Sequence, residues 1–173
     1  QLSAVISVHN EEGQLAQCLE GLSFADEIVV LLDDCTDKSG DIARQFTDRI
    51  HDGNWAVEGD RRNAGIETCR GEWIFEIDAD ERVSEELAEE IRDIVRTTTF
   101  DWHEILVDNY IGDRLVRWGW GASYGKAAYP GLFRKGVKTW GRQRVHPALA
   151  WAGGARKGPK LNNRIRHLVD RNI

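Results

Sequence analysis

The 173-residue chain contains no methionine and begins at Gln1. It is therefore expected to be a segment of a longer product, cut again after Asp170-Arg171-Asn172-Ile173. Cysteine is scarce: Cys18, Cys35 and Cys69 are odd in number and lack metal-ligand spacing. Cys18 and Cys69 fall on expected helix faces and read as buried thiols, which suits a reducing cytoplasm. No apolar run approaches the roughly 18 residues of a membrane-crossing helix. The first apolar stretch, Leu2 to Val8, reads as a strand and not as a secretory leader. Nucleotide fingerprints are missing too. No Gly-x-Gly-x-x-Gly follows that strand, and Gly153-Gly154-Ala155-Arg156-Lys157-Gly158 lacks the Gly-Lys-Ser/Thr ending of a phosphate loop. A dinucleotide dehydrogenase and a P-loop NTPase are both disfavoured.

Charge is present but unevenly spread. The net charge of −6 combines 9 Lys and Arg against 24 Asp and Glu in residues 1–100 with 14 against 5 in residues 101–173. Five of the seven tryptophans also lie in the second part. The asymmetry reads either as two regions with different partners or as one domain whose charges neutralise each other internally. Nucleic-acid binding is disfavoured, because the acidic half would repel phosphate.

Along the chain, residues 2–96 alternate strand and helix. Strands are expected at Leu2–Val8, Asp26–Leu32, Arg49–His51 and Glu72–Ile77. Helices are expected at Glu11–Leu22, from Ser39 to Phe46, at Asp60–Arg70 stopped by Gly71, and from Ser84 to about Arg96. Such alternation implies βαβ units and a mostly parallel sheet flanked by helices. Beyond Thr99 the pattern changes: strands are expected at Trp102–Val107 and Leu132–Lys135, with a glycine- and aromatic-rich loop or hairpin between. A single α/β domain over 1–173 is expected, with a nucleotide-side part (1–100) and a smaller mixed part (101–173).

The chemistry gathers at strand ends. The run Trp73-Ile74-Phe75-Glu76-Ile77 stops at Asp78-Ala79-Asp80-Glu81. Taken alone, this is either an acidic turn or two oxygen ligands for Mg²⁺ or Mn²⁺ shared with a diphosphate. Strand one ends in His9-Asn10-Glu11-Glu12, where Asn10 reads as a helix cap. Strand two ends in Asp33-Asp34-Cys35-Thr36-Asp37. Three acidic strand ends on one edge of a parallel sheet would repel one another, and a bound cation accounts for them better than turn chemistry does.

Four segments then occur in order: Ser7-Val8-His9-Asn10-Glu11-Glu12, Leu32-Asp33-Asp34-Cys35-Thr36-Asp37, Arg61-Arg62-Asn63-Ala64-Gly65, and Gly71 through Glu81. Together they resemble a family 2 glycosyltransferase with the GT-A fold, of the kind that builds bacterial lipopolysaccharide core or other envelope glycans. The resemblance covers residues 2–96 and, more loosely, 130–148. It implies metal-dependent, inverting transfer of a sugar from a nucleotide-sugar donor, with uracil as the base, to a glycan or glycolipid acceptor. Val8, His9, Asn10 and Glu12 would line the nucleotide pocket. Asp33 or Asp34 would receive the base, and Arg62 and Asn63 would contact base, ribose or donor sugar. Asp78, Ala79 and Asp80 would form the DxD motif, with Asp80 nearest the metal. Leu132-Phe133-Arg134 and Val145-His146 are similar to a further pattern of the subgroup. Arg134 would then help neutralise the leaving diphosphate, and His146 would be a third metal ligand, a donor to that diphosphate, or simply structural.

The sequence departs from that pattern at Cys35, where glycine is common, and at Pro147, where the subgroup often carries glutamate. The second departure leaves the catalytic base open. Asp101, Glu104, Asp108, Asp113 and Asp170 are the candidates in the second part, and Asp113 is preferred because it adjoins the aromatic-glycine loop. Trp118 and Trp120 are either acceptor-stacking or core residues. In the tail, Leu161, Ile165 and Leu168 with Lys160, Arg164, Arg166 and Arg171 read as a basic amphipathic helix, either packed on the domain or lying on an anionic membrane surface. The expected setting is cytoplasmic, with peripheral contact to the inner membrane. A nucleotidyltransferase is the rival enzyme class, but it needs a lysine-containing glycine loop after strand one. An inactive sugar-binding relative is the rival without activity.

Overall fold

Runs of β-branched and aromatic residues buried on both faces build the centre of the molecule. The structure is a computed structural model, and it describes residues 1–116, 126–143 and 147–169. In chain order the elements are β1 (Leu2–Val8), α1 (Leu15–Glu20), β2 (Glu27–Asp33), α2 (Ser39–Ala43), β3 (Ile50–Gly53), α3 (Glu58–Thr68), β4 (Trp73–Asp78), β5 (Glu81–Arg82), α4 (Glu85–Thr97), β6 (Trp102–Ile111), β7 (Arg114–Leu115), β8 (Ala128–Arg134), β9 (Lys138–Trp140), β10 (Leu149–Trp151) and β11 (Arg164–Val169).

One sheet runs β3-β2-β1-β4-β8-β6-β11-β5, with β7 attached to β6, and β9 pairs separately with β10. Strands β1 to β4 are mutually parallel where they pair. β8 runs antiparallel to both β4 and β6, so β6 points the same way as β4, and β11 is parallel to β6. The carboxyl ends of β1, β2, β3, β4, β6 and β11 therefore share one edge. This is where open α/β sheets bind ligands.

One face of the sheet packs Leu15, Leu19, Leu87 and Ile91 from α1 and α4 over Ile6, Phe75 and Ile105. The other face packs Ile66 of α3 against Val5, Leu31 and Ile74. Fully burying one such side chain contributes about 1.5–3 kcal/mol. α4 begins as expected, with the Ser84 hydroxyl accepting the Leu87 N–H at 3.2 Å. α3 comes unusually close to the sheet at Gly65. A methyl group there would lie 2.9 Å from Leu31 Cδ1 and Val5 Cγ2. The close approach brings the preceding turn, Arg61 and Arg62, to the ligand edge.

Several expectations are corrected. α1 starts only at Leu15, and Asn10 does not cap it; Asn10 adopts a left-handed φ of 54° within the loop. Ser39 does not cap α2, because its hydroxyl accepts the Glu11 N–H instead. Gly71 is not a left-handed helix stop. α3 ends at Thr68, and Gly71 is small because a Cβ would sit 2.6 Å from Ser3 Oγ. The basic tail is no helix. Residues Arg164 to Val169 form β11, with Ile165 buried and Arg164 and Arg166 exposed in strand alternation. Gly112 and Asp113 form the turn between β6 and β7, which realises part of the expected hairpin.

The charge asymmetry is resolved inside the molecule. Lys126 pairs with Asp78 and Glu81, Lys138 with Glu76, Arg134 with Glu72, and Arg142 with Asp60. Basic groups of the second part thus neutralise acids of the first.

Candidate active site

The loops after β1 and β2 are stitched to each other. Asn10 Oδ1 accepts the Thr36 and Asp37 N–H groups at 2.8 and 3.2 Å. Asp37 in turn accepts the N–H groups of Glu12 and Ser39, and the Glu12 carboxylate accepts that of Lys38 at 3.0 Å. Asn10 and Asp34 (φ 48°) are the non-glycine residues with positive φ among the described residues. Such conformations cost on the order of 1–3 kcal/mol and gather at ligand sites. His9 Nδ1 lies 2.6 Å from the Asp33 carbonyl oxygen, which only accepts, so Nδ1 carries the hydrogen and Nε2 faces outward. Asp33 accepts from the Trp55 N–H at 3.1 Å and from Arg61 at 2.7 Å. Asp34 is exposed beside it. Val8 is fully buried and supports this loop from beneath.

The end of β4 forms the second half of the site. Arg62 bridges Glu58, Glu76 and Asp78 at 2.8, 2.9 and 3.1 Å, and its guanidinium lies 5.0 Å from the centre of the Trp140 ring. Lys126 Nζ stands 3.1 Å from Asp78 and 2.8 Å from Glu81. Burial pushes the Asp78 carboxyl up, but Arg62 and Lys126 outweigh it and hold the group well below the usual range. Glu81 goes the other way, because burial and the Asp78 charge together exceed the pull of Lys126. Beneath them Glu76 stays low despite its burial, held by Lys138 and Arg62. Ala79 is buried between the two aspartates.

Asp80 points elsewhere. Its Oδ2 lies 3.0 Å from His167 Nε2, and its Oδ1 is buried without a hydrogen-bond partner among the described residues. The hydrogen bond to Asp80 raises the His167 pKa against the effect of burial. A carboxylate with one orphaned oxygen, its other oxygen beside an imidazole nitrogen, is a donor set that suits a divalent cation, so these residues fit one. Among the described residues, however, no three His, Cys, Asp or Glu side chains already converge on one point. Asp78 is turned to Arg62 and Lys126.

Some expected site residues are not brought here. Asn63 uses both ends of its amide on the Trp140 backbone, at 2.9 Å each, and so anchors β9. Arg134 is level with Trp73, five residues before Asp78 and about 17 Å from it at roughly 3.3 Å per residue. It pairs there with Glu72 and Asp101 and cannot face a diphosphate at the other edge. Asp113 does reach the ligand edge, in the β6–β7 turn, where it is fully exposed and 4.0 Å from Arg166. His146, Val145, Trp118, Trp120, Asp170 and Arg171 lie outside the described residues. Sequence reasoning missed Lys126, His167, Glu76 and Glu81 as site residues. Glu81 stood within the acidic run, but no local signal marked Lys126 or His167.

The family model described as "Glycosyl transferase family 2" matches residues 3–150. The lipopolysaccharide core biosynthesis glycosyltransferase LpsC of Rhizobium meliloti is 29% identical over 129 residues, covering 72% of this chain and 44% of LpsC. The chain thus spans less than half the length of that relative. Among solved structures, residues 1–349 of Staphylococcus aureus TarS superpose with a TM-score of 0.72 at 13% identity, covering 97% of this chain and 60% of the other. Glucosyl-3-phosphoglycerate synthase of Mycobacterium tuberculosis, in complex with Mg²⁺ and UDP, gives 0.51 at 17% identity, covering 64% and 43%. These structural likenesses show the GT-A fold. With the acidic strand ends, the arginine-bearing α3 and the matched 3–150 span, they make this chain a member of glycosyl transferase family 2.

Proposed function

We propose that the chain is the donor-binding part of a glycosyltransferase that moves a sugar from a nucleoside diphosphate, UDP, to a hydroxyl of an envelope glycan or lipid-linked glycan. The observation that carries this reading is the Asp78–Asp80 pair at the carboxyl end of β4, faced by Arg62, Lys126 and His167. Asp80 and His167 would hold Mg²⁺ or Mn²⁺, with Asp78 beside it. The ion, when bound, supplies positive charge to the leaving diphosphate. Arg62 and Lys126 add fixed positive charge at the same place. Asp33 or Asp34 accepts a ring N–H of the base, and His9 offers Nε2 next to it. Asp113, exposed on the same edge, is the base that takes the proton of the attacking hydroxyl, and displacement from the far side inverts the anomeric carbon.

The UDP bound by the mycobacterial synthase supports the choice of donor, and the name of LpsC supports an envelope acceptor. A nucleotide-sugar donor and buried free thiols suit a cytoplasmic reaction, and a lipid-linked acceptor would bring it to the inner membrane face. The helix that suggested membrane contact is β11, so that contact now rests on the acceptor alone. No described helix is long and apolar enough to cross a membrane.

Thermal denaturation with UDP, GDP and ADP, each with and without Mn²⁺, tests the reading. A ligand at a hundred times its Kd stabilises by about 2.7 kcal/mol. UDP with Mn²⁺ should raise Tm most, and the absence of any metal-dependent rise with any nucleotide would overturn the proposal.

A further inference from the structure

Asn109 sits on β6 directly beside His167 of β11 in the parallel register, and it is only 8% exposed. Its side chain makes two contacts of opposite kind. Nδ2 donates to the backbone carbonyl of Lys126 at 3.0 Å, and Oδ1 lies 2.7 Å from His167 Nδ1. The carbonyl can only accept, so the amide cannot be turned over without setting two oxygens against each other. Oδ1 must therefore face His167, and His167 Nδ1 must carry a hydrogen. That leaves Nε2, 3.0 Å from Asp80, as the nitrogen whose lone pair becomes available when a cation replaces its proton.

The geometry points to Asn109 as a positioning residue that locks His167 in the Nδ1–H tautomer and so presents its Nε2 lone pair beside Asp80 to a divalent cation. The inference rests on the metal site proposed above. It adds a residue that no motif marks and that touches neither metal nor donor. Metal-bound histidines commonly need such an acceptor on their second nitrogen, and its loss costs about 10–100-fold in metal affinity.

The test uses the whole 173-residue chain with saturating UDP and Mn²⁺ titrated by EPR. Asn109→Leu, which keeps the branched shape and removes the acceptor, should weaken Mn²⁺ binding 10–100-fold. Asn109→Asp keeps an acceptor for Nδ1–H, although its second oxygen then opposes the Lys126 carbonyl and lowers stability, and it should bind Mn²⁺ within a few-fold of the parent. Long-range ¹H–¹⁵N spectra of histidine-labelled, Mg²⁺-loaded parent protein should show His167 as the Nδ1–H tautomer, a readout that needs no variant and so survives any failure of Asn109→Leu to fold. Parent-like Mn²⁺ affinity in folded Asn109→Leu, or an Nε2–H tautomer in the loaded parent, would overturn the inference while leaving the metal site standing. Parent-like affinity in both Asp80→Ala and His167→Ala would instead remove the metal site, and this inference with it.

Discussion

Lys138 holds its ammonium 2.6 Å from the carboxylate of Glu76, and the side chains are 0% and 6% exposed. The pair joins β9 to β4 below the ligand edge, and Glu76 in turn steadies Arg62. Removing one partner leaves a buried charge poorly compensated, which typically costs 3–5 kcal/mol. Lys138→Met is expected near the lower end, about 3 kcal/mol, because Arg62 remains on Glu76. Adding Glu76→Gln should recover part of that loss. Urea denaturation of the two variants measures both effects, and a Lys138→Met stability equal to the parent's would contradict this account.

Arg62 bridges three carboxylates with one planar group, which a lysine ammonium cannot reproduce. Arg62→Lys should lose charge-assisted hydrogen bonds of about 1.5–3 kcal/mol each. UDP affinity, read by calorimetry with Mn²⁺ present, should fall by about ten- to a hundredfold. Unchanged affinity would detach Arg62 from the donor.

Gly65→Ala would drive a methyl group against Leu31 and Val5. Overpacking of this kind costs about 1–3 kcal/mol, and here it also lifts α3 from the sheet. Both Tm and UDP affinity should drop. A fall in Tm with donor binding intact would separate the helix position from the site.

Glu27 accepts from the Arg70 N–H, the Ser3 hydroxyl and Arg49. Burial pushes its carboxyl up, but these partners prevail, so its pKa is lowered on folding. A lowered folded pKa contributes stability that is present above the unfolded value, near 4.5, and lost as pH falls through the folded one. Glu27→Gln should therefore be less stable than the parent at pH 7, and the gap should close as the pH falls below about 4. A gap that stays constant down to pH 2 would argue against this linkage.

Asp113→Asn tests the proposed base. Its side chain is fully solvated, so stability should hold within about 0.5 kcal/mol. Loss of a general base lowers turnover by about 10²–10⁴-fold. UDP binding should not change, and turnover within twofold of the parent would clear Asp113 of the role.

The parts legible in sequence were those governed by near neighbours. β1, β2 and β4 are buried on both faces, so their apolar runs are unbroken and easily read. The sequence places the start of α1 too early because Glu11 and Glu12 look like a first helical turn, although Ser39 at the start of α2 and Asp37 just before it claim their N–H groups. The tail misled through Leu161, Ile165 and Leu168, which fit a helical spacing, whereas the alternation from Arg164 to His167 is that of a strand. His167 meets Asp80 across 87 positions, and Lys126 meets Asp78 across 48. Contacts of that span depend on the strand order β4-β8-β6-β11, which no local pattern encodes.

The insertion of β8 between β4 and β6 also decides where the molecule can be divided. A fragment ending near residue 100 would keep every acidic strand end, yet it would strip the covering strand from Trp73, Ile74 and Phe75. An apolar strand left open along its hydrogen-bonding edge recruits other chains. The nucleotide-side half is thus expected to precipitate when expressed alone, and the smallest soluble unit should include β8.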